Sequence, residues 1–527
     1  MKLEAWILDG LILKSKKMKK ILSVIVLCTL MFSCQKTSKH DKKTDQILKL
    51  IFQEGDPTSL NPHRNITHIR CVCLNKLLFE GLTRINADQK AALAGASSVN
   101  ISKDLMEYTF TIRKNSWSSG DPVTAYDYES AWKEAVSPDS ICLRPDLFYV
   151  IKNAKEIRNR EKNIDEFGVK ALDDKTLQVK LAHPCTVLLE LLANSIFSPL
   201  KKAKDEPSIF NGPFIIEKWN KTKNLILKKN NNYWDNEKIS LNTIEINFIK
   251  DIATGYSLFN NGEVDWIGSP ISSVSTEDAD ILEEQKLLET RISTLIFWIQ
   301  INTKHPHFQS KHIRKALSYA IDRNVINKSI TKGNTPISFL PTSMAPFEQS
   351  FEYNPEKAKE CFDVGLQELQ ISKNEFPEIE LSYFINPKMK MLAQYLEQKW
   401  NKILNIRTKL IGKDWNYFRS SQEKGEYDIG GCYETALFPD PIDLLQRLEK
   451  KEGWENKEYQ ENIFGMKNTI DEEQKRSFLE KALAILGEEM PLIVITNANQ
   501  TFAVNEHLKG YFFDYTNSVD FSRAYFD

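Results

Sequence analysis

Segments with the two-residue period of half-buried strands are spread along the whole chain, and segments with helical spacing lie between them. Residues 108–113, 177–181 and 244–248 each alternate apolar and polar side chains. Thr124 and Asp127 have the spacing of a helix capping box, and apolar residues at helical spacing follow them. Because the two kinds of element do not follow a strict strand–helix–strand repeat, the mixture predicts an α/β protein with several lobes.

Two further features refine this prediction. Residues 294–301 and 492–495 are nearly continuous apolar runs, which predicts fully buried strands. Asn354 followed by Pro355 indicates the start of a helix, and Gly365 is predicted to end it. A length of 527 residues allows three to four domains of about 150 residues.

The composition excludes several classes of protein. Hydrophobic residues make up 41% of the chain and charged residues 27%, which differs from a disordered chain and from a polytopic membrane protein. The net charge of −1 lacks the basic surplus that phosphate binding requires, so we expect no nucleic-acid partner. Residues 1–33 contain six lysines and two acidic residues, so the remainder of the chain has a net charge of −5.

The N-terminal region has the pattern of an export signal. Lys19 and Lys20 precede twelve uncharged residues, 21–32, which are too few to span a bilayer but suit the apolar region of a signal peptide. Glu4 and Asp9 lie ahead of this positive cluster, where a signal peptide normally has no acid. We therefore exclude residues 1–33 from the fold and predict that translation starts at Met18.

Ser33 and Cys34 end the apolar run and resemble the lipobox of bacterial lipoproteins. This resemblance implies that Cys34 is lipidated and becomes the first residue of the mature protein, with residues 34–45 as a polar tether. The alternative is an unlipidated secretory signal with an incidental cysteine. In both cases the location is extracytoplasmic, either the periplasm or the cell envelope.

The other cysteines are too few for a disulfide framework in a chain of this length. They are Cys71, Cys73, Cys142, Cys185, Cys361 and Cys432. Cys71 and Cys73 would lie on one face of a strand, a spacing that is poor for a mutual disulfide and leaves metal binding as a minor alternative.

No catalytic motif is present. The sequence lacks a phosphate-binding G-x-x-x-x-G-K loop, a G-x-S-x-G nucleophile elbow and an H-E-x-x-H zinc helix. His305, His307 and His312 form a cluster, but Pro306 and the following helix favour a solvated loop over a metal site. We therefore predict no catalytic residues, no metal and no cofactor. The abundant tryptophans and tyrosines either fill the core or line a cleft for an extended ligand.

Ordered motifs run along essentially all of the chain after Gln46. They include Leu60-Asn61-Pro62-His63, Leu78-Phe79-Glu80-Gly81-Leu82, residues 117–127, Asn211-Gly212-Pro213-Phe214, Asn232-Tyr233-Trp234, Asn261-Gly262-Glu263-Val264-Asp265, residues 313–323, residues 353–358 and Gly425-Glu426-Tyr427-Asp428. In their order and spacing these motifs closely resemble those of the extracytoplasmic oligopeptide-binding proteins of ABC importers, solute-binding protein family 5.

The resemblance implies a two-lobed periplasmic-binding-protein clamshell, with an additional domain inserted into the first lobe and hinge strands between the lobes. By analogy, lobe I comprises residues 46–80, 205–290 and 488–527. The inserted domain comprises residues 81–204, and lobe II comprises residues 291–487. A peptide held between the lobes would add to the protein as a strand does, through main-chain hydrogen bonds.

The function implied is that of a lipid-anchored, monomeric receptor that captures oligopeptides and delivers them to a membrane permease, without catalytic turnover. Members of the same family also bind murein peptides, dipeptides, nickel chelates or haem. The alternative from another class is an exported hydrolase of peptides or cell-wall material. That alternative requires an activated nucleophile or a metal, and the sequence shows neither.

One position departs from the family. In its best-known peptide receptors, the strand after the Gly-x-(Phe/Tyr)-Asp segment pairs with the peptide, and an Asp a few residues later binds the peptide's α-ammonium. The resemblance places Tyr433, Glu434 and Thr435 on this strand and puts Leu437 where the Asp belongs. Because a buried ammonium without a counter-charge is costly, the ligand has no free α-amino group there or another carboxylate, Glu434 or Asp440, replaces the Asp.

Between these two acids the sequence favours Glu434, since Tyr433 and Thr435 would point to the opposite face of the strand. A merely solvated role for both acids is the alternative. Trp415 aligns with a family tryptophan near the ligand and is predicted to be a wall of the pocket.

Overall fold

The structure is a computed structural model that describes residues 46–53, 55–201, 206–449 and 453–527. Contacts divide the chain into Met1–Gln46 and Ile47–Asp527, and the fold below is that of Ile47–Asp527. The predicted signal peptide, Cys34 and the tether lie outside the described residues. Among the helices of the described ranges, none combines the length and the apolar character needed to cross a membrane.

The strands are β1 (Ile47–Phe52), β2 (Thr83–Ile85), β3 (Ala91–Leu93), β4 (Ala96–Ile101), β5 (Glu107–Ile112), β6 (Val169–Asp173), β7 (Thr176–Lys180), β8 (Phe214–Asn220), β9 (Asn224–Lys229), β10 (Thr243–Phe248), β11 (Trp266–Gly268), β12 (Leu288–Ile301), β13 (Ile379–Phe384), β14 (Thr408–Lys413), β15 (Ile429–Glu434), β16 (Leu492–Val504), β17 (Leu508–Lys509), β18 (Phe512–Phe513), β19 (Val519–Asp520) and β20 (Tyr525–Phe526).

The α-helices are α1 (Pro62–Asn65), α2 (Ile69–Leu78), α3 (Ala125–Val136), α4 (Ala154–Arg158), α5 (Leu188–Leu192), α6 (Ile252–Asn260), α7 (Thr276–Glu284), α8 (Lys311–Tyr319), α9 (Arg323–Ile326), α10 (Pro355–Leu369), α11 (Pro387–Leu404), α12 (Trp415–Glu423), α13 (Ile442–Leu445), α14 (Lys457–Asn468) and α15 (Glu472–Glu489).

Two four-stranded sheets form the first part of the fold. One has the order β1-β10-β9-β8, with β1 parallel to β10 and the other pairs antiparallel. The other sheet, β4-β5-β7-β6, is antiparallel and packs against α3. The predicted strands at 108–113, 177–181 and 244–248 are confirmed as β5, β7 and β10. The predicted capping box is also confirmed, because the backbone N–H of Thr124 donates to the Asp127 carboxylate at 2.8 Å.

A six-stranded sheet of order β11-β16-β12-β15-β13-β14 forms the remainder. Its two long strands, β12 and β16, are antiparallel to each other and contain the predicted buried runs. The beginning of β12 pairs with the end of β16. The end of β16 also pairs with β11, and the end of β12 also pairs with β15. The register between the two long strands shifts between Ile292 and Ile296.

The buried apolar residues form two large clusters, which we call the first core and the second core. The first core extends from Leu48 to Phe248 and includes residues from Phe502 to Ala524 near the C-terminus. The second core extends from Ile296 to Ile495. Because the long strands β12 and β16 run from one core region into the other, the fold is two-lobed, with these strands as the connection between lobes.

Many of the large aromatic side chains fill these cores. Trp117, Trp132, Trp266, Trp298 and Trp400 are fully buried. Trp132 also donates from its indole nitrogen to the carbonyl of Phe197 at 2.8 Å, so its one polar atom is satisfied inside the core.

Two local predictions are wrong. Cys71 and Cys73 lie on helix α2 and not on a strand, so they do not share a face; both are buried with free thiols. Helix α10 does not end at Gly365 but continues to Leu369. A Cβ at Gly365 would lie 2.5 Å from Cδ1 of Ile313, so this glycine permits the close approach of α8 to α10.

Candidate functional site

The two lobes meet at the end of strand β15. Leu437 and Phe438 follow β15 in the chain, yet they pack into the first core, whereas Ile429 of β15 belongs to the second core. The segment after β15 therefore crosses from one lobe to the other. All of the sequence-predicted ligand residues except Trp415 lie in or next to this crossing segment.

Strand β15 has a partly open edge. On one side it pairs with β12 along its whole length, from Ile429 to Glu434. On the other side β13 pairs with it only at Ile429 and Gly430. In the described part of the chain, no strand pairs with that second edge from Gly431 to Glu434. The main-chain N–H and C=O groups that face this edge can therefore pair with an added strand.

Tyr433 and Thr435 contact strand β12, and Thr435 also contacts the C-terminal segment. The ring of Tyr433 packs edge-to-face on Phe297, with 4.9 Å between centroids, and burial raises the pKa of its phenol to about 12. The hydroxyl of Thr435 lies 3.2 Å from the hydroxyl of Thr294 and accepts a 2.8 Å hydrogen bond from the side-chain amide of Asn517.

Asn517 connects three separate parts of the chain. It is buried and has a φ of 66°, in the left-handed region that asparagine tolerates better than most residues. Its side-chain oxygen accepts from the backbone N–H of Thr294, and its amide donates to the hydroxyls of Thr294 and Thr435. It thereby joins the C-terminal segment to β12, where that strand passes between the lobes, and to the end of β15.

Glu434 and Asp443 share one arginine. Arg447 donates from Nη1 to Glu434 at 3.1 Å and from Nη2 to Asp443 at 2.6 Å. Asp443 is completely buried, and its Oδ2 also accepts the backbone N–H of Leu437 at 2.6 Å. Its Oδ1 lies 3.9 Å from Nη2 of Arg144, which is too long for a hydrogen bond.

Arg144 reaches this cluster from the segment before α4. A bidentate pair with Asp146, at 2.8 and 2.7 Å, holds its guanidinium. Burial acts to lower the pKa of Arg144, but the hydrogen bonds and charge of Asp146, with the charges of Asp443 and Glu434, outweigh it and raise the pKa. Burial likewise acts to raise the pKa of Asp146, and Arg144 reverses the effect, so this pKa is lowered. The pair is therefore ionised at neutral pH.

Asp440 is paired with Lys475, at 2.5 Å between Oδ2 and Nζ. Both residues line a cavity of about 430 Å³ between the segment after β15 and the region of Asp146 and His183. Phe438 lines the same cavity, so the crossing segment forms one of its walls.

Trp415 lies at the start of α12 and is 41% exposed. Its indole packs edge-to-face on Phe384, with 5.3 Å between centroids, and stacks on Phe418. The structure thus joins Glu434 and Thr435 through Arg447, which donates to the Glu434 carboxylate and to the carbonyl of Thr435, and it packs the neighbouring Tyr433 on Phe297. Asp440 lies beside the adjoining cavity, whereas Trp415 belongs to a separate aromatic cluster.

Sequence reasoning did not identify Arg144, Asp443, Arg447 or Asn517. The i,i+4 spacing of Asp443 and Arg447 was the one available local signal, because an acid and a base at that spacing lie on the same side of a helical segment. Arg144 and Asn517 reach the site from 299 residues before and 74 residues after Asp443. No local pattern marks either residue.

Comparisons with known proteins agree with this architecture. A family model described as bacterial extracellular solute-binding proteins, family 5 middle, matches residues 91–456. The oligopeptide-binding protein OppA of Bacillus subtilis is 34% identical, with 85% of this chain and 87% of the relative covered. The dipeptide-binding protein DppE of the same organism is 30% identical, with 92% and 93% covered.

Solved structures have the same fold. Listeria monocytogenes OppA bound to peptide superimposes with a TM-score of 0.79 at 24% identity, covering 92% of this chain and 99% of that one. The Escherichia coli murein tripeptide binding protein MppA gives a TM-score of 0.81 at 22% identity, with the same coverage.

Proposed function

Because the chain belongs to the bacterial extracellular solute-binding proteins of family 5, we propose that it is an exported receptor that captures oligopeptides between its two lobes and delivers them to the permease of an ABC importer. Relatives named as oligopeptide-binding and dipeptide-binding proteins support a peptide ligand. They also support binding without catalytic turnover, since none of these names describes an enzyme.

The observation that carries this proposal is the open edge of β15 from Gly431 to Glu434, located where the chain crosses between the lobes. A peptide paired with this edge would form main-chain hydrogen bonds that do not depend on its sequence. We assign Tyr433, Glu434 and Thr435 to this strand contact, with Asp440 and Trp415 as flanking pocket residues.

We assign lobe I to residues 46–80, 205–290 and 488–527, the inserted domain to residues 81–204, and lobe II to residues 291–487. The separate first and second cores support two lobes, and the separate antiparallel sheet of β4 to β7 supports an inserted domain. Ligand binding to both lobes would favour the closed arrangement over the open one.

Membrane attachment belongs to this proposal as well. We propose that the mature chain begins at a lipidated Cys34 and that the protein remains outside the cytoplasm as a monomer on the membrane. The apolar run before Ser33 supports the export signal. The intact mass of the mature protein tests it. A diacyl or triacyl addition on Cys34 is expected, and Cys34→Ala should release the protein from membranes, whereas an unmodified Cys34 contradicts the lipid anchor.

The ligand is tested by native mass spectrometry of the purified protein, followed by titration with a panel of peptides of two to six residues. We expect bound peptide and a decrease in the radius of gyration by small-angle X-ray scattering when peptide is added. Cleavage of the panel would indicate a hydrolase instead. Neither binding nor compaction with any peptide of the panel would contradict the peptide-receptor function.

A further inference from the structure

The cavity beside Asp440 lies between two parts of the fold that belong to different cores. Its walls include Leu147 and Leu191 of the first core and, from the other side, Met466 of the second core. The cavity has a volume of about 430 Å³, so the two parts do not pack closely against each other there. Because the interior of a domain contains few voids larger than a water molecule, a gap of this size indicates a boundary between two bodies that can separate.

Charged side chains from the two bodies face each other across this boundary. Arg144 and its partner Asp146 immediately precede residues of the first core. Asp443 and its partner Arg447 lie among residues of the second core. Nη2 of Arg144 lies 3.9 Å from Oδ1 of Asp443, so this ion pair crosses the boundary. No described residue donates a hydrogen bond to Oδ1, and Arg144 therefore supplies the positive charge that this oxygen faces.

Two further contacts cross the same boundary. Ile442, directly before Asp443 in the chain, packs against both cores. Burial lowers the pKa of His183, and the main chain and the ammonium of Lys467 also act on this pKa, so these two residues are close to each other. His183 and Lys467 both line the cavity. The boundary is thus bridged by an ion pair, an apolar side chain and an imidazole around a cavity, and such a polar, loosely packed interface can open without disturbing either core.

These contacts lie outside the open edge of β15. None of Arg144, Ile442 and His183 belongs to the residues of that edge, Gly431 to Glu434. Their contacts are therefore available whether or not a peptide is paired with the edge.

We propose that Arg144, Ile442 and His183, with their partners across the boundary, form an interlobe latch that holds the lobes together in the absence of peptide. This inference rests on the proposed opening and closing of the lobes. Because the latch does not contact the ligand, it acts on the fraction of molecules that are closed. The apparent affinity is the intrinsic affinity multiplied by that fraction, so the latch raises the affinity for every peptide by the same factor.

The first experiment measures the radius of gyration of ligand-free proteins by small-angle X-ray scattering, after unfolding and refolding to remove any bound ligand. Arg144→Met and Ile442→Ala weaken the latch from its two sides. Arg160→Met is the matched control, because Arg160 pairs with Asp139 at a site where the two side chains are 66% and 82% exposed. Both latch variants should have a larger radius than the wild type and the control. Equal radii in all four proteins would overturn the latch, whether or not any of them binds peptide.

The second experiment titrates the same proteins by calorimetry with a tripeptide and a pentapeptide of unrelated sequence that bind the wild type. Each latch variant should bind both peptides about 5-fold or more weakly than the wild type, and by the same factor. A loss confined to one peptide would show that the substituted residue contacts the ligand, and would overturn the latch.

The radius of gyration with saturating peptide shows whether a variant is folded, because a folded latch variant should then be as compact as the peptide-bound wild type. If Arg144→Met does not reach that radius, Ile442→Ala decides the result. Failure of the wild type to bind any peptide would contradict the receptor function, and the scattering of the ligand-free proteins would still decide the latch.

Discussion

Replacement of Arg447 by methionine removes the shared partner of two buried carboxylates. The variant loses hydrogen bonds to Glu434 at 3.1 Å, to Asp443 at 2.6 Å and to the carbonyl of Thr435 at 3.2 Å. The side chains of Glu434 and Asp443 are only 12% and 0% exposed, so water cannot replace the arginine. Removal of one partner of a buried ion pair costs about 3–5 kcal/mol.

Arg144 limits this loss. Its guanidinium lies 3.9 Å from Asp443 and partly compensates the remaining charge, so we take the lower end and expect a loss of about 3 kcal/mol in the free energy of unfolding. The proposed lobe II, residues 291–487, has the size for which 1 kcal/mol corresponds to about 2–4 °C, so the thermal transition of the second core should fall by about 6–12 °C. Calorimetry resolves this transition from that of the first core if the two unfold separately.

Arg476→Met is the matched control. Arg476 also pairs with a glutamate, Glu480, but 66% of its side chain is exposed. Exposed pairs contribute roughly 0–1 kcal/mol, so this variant should unfold within a few degrees of the wild type. If Arg447→Met is no less stable than Arg476→Met, Glu434 and Asp443 do not depend on Arg447, and the stabilising role assigned to this arginine is wrong.

Three further predictions concern the surrounding fold. In urea unfolding, Asn517→Ala should destabilise the protein by about 1 kcal/mol more than Asn517→Gly, because alanine is disfavoured at a φ of 66°. Equal losses of stability would show that the lost side-chain hydrogen bonds account for the whole effect. Burial lowers the pKa of His63 to about 4, so between pH 6.5 and pH 4 the unfolded chain binds a proton at this residue and the folded chain does not. As the pH falls through that interval, the free energy of unfolding of the wild type should therefore decrease by about 3 kcal/mol relative to His63→Gln. Parallel pH profiles of the two proteins would contradict this. Gly365→Ala should lower the free energy of unfolding by about 1–3 kcal/mol, because the added Cβ would meet Ile313. Gly487 is also helical but has open space beside it, so Gly487→Ala should raise the free energy of unfolding by up to about 1 kcal/mol. The reverse order of the two variants in thermal unfolding would refute the packing argument.

The charged cluster gives the site a mechanical role in addition to a chemical one. Arg144 and Asp443 belong to regions packed on different cores, and Asn517 joins the C-terminal segment to β12 and the end of β15. A change in the lobe arrangement therefore alters the contacts of the same residues that flank the open edge of β15. Closure and ligand binding are expected to be coupled through these side chains.

The sequence by itself determined the local elements and the fold class. Alternation of apolar and polar residues identified β5, β7 and β10, and the Thr124–Asp127 spacing identified the start of α3, because strand faces and helix caps depend on residues two to four positions apart. The ordered motifs identified the family. The position of Leu437 predicts that the ligand contact differs from the usual one.

Tertiary structure decided the contacts that matter for the site. Asp443 approaches Leu437 because the chain turns after β15, and Asn517 reaches Thr294 across 223 residues of sequence because the C-terminal segment packs beside the long strand β12. Gly365 shows the same division on a smaller scale, since its local signal is a helix end but its function is close packing of α10 on Ile313. The periodicity of apolar residues indicates which face of a helix or strand is buried. It does not indicate which charged or amide side chain from a distant part of the chain will contact that face.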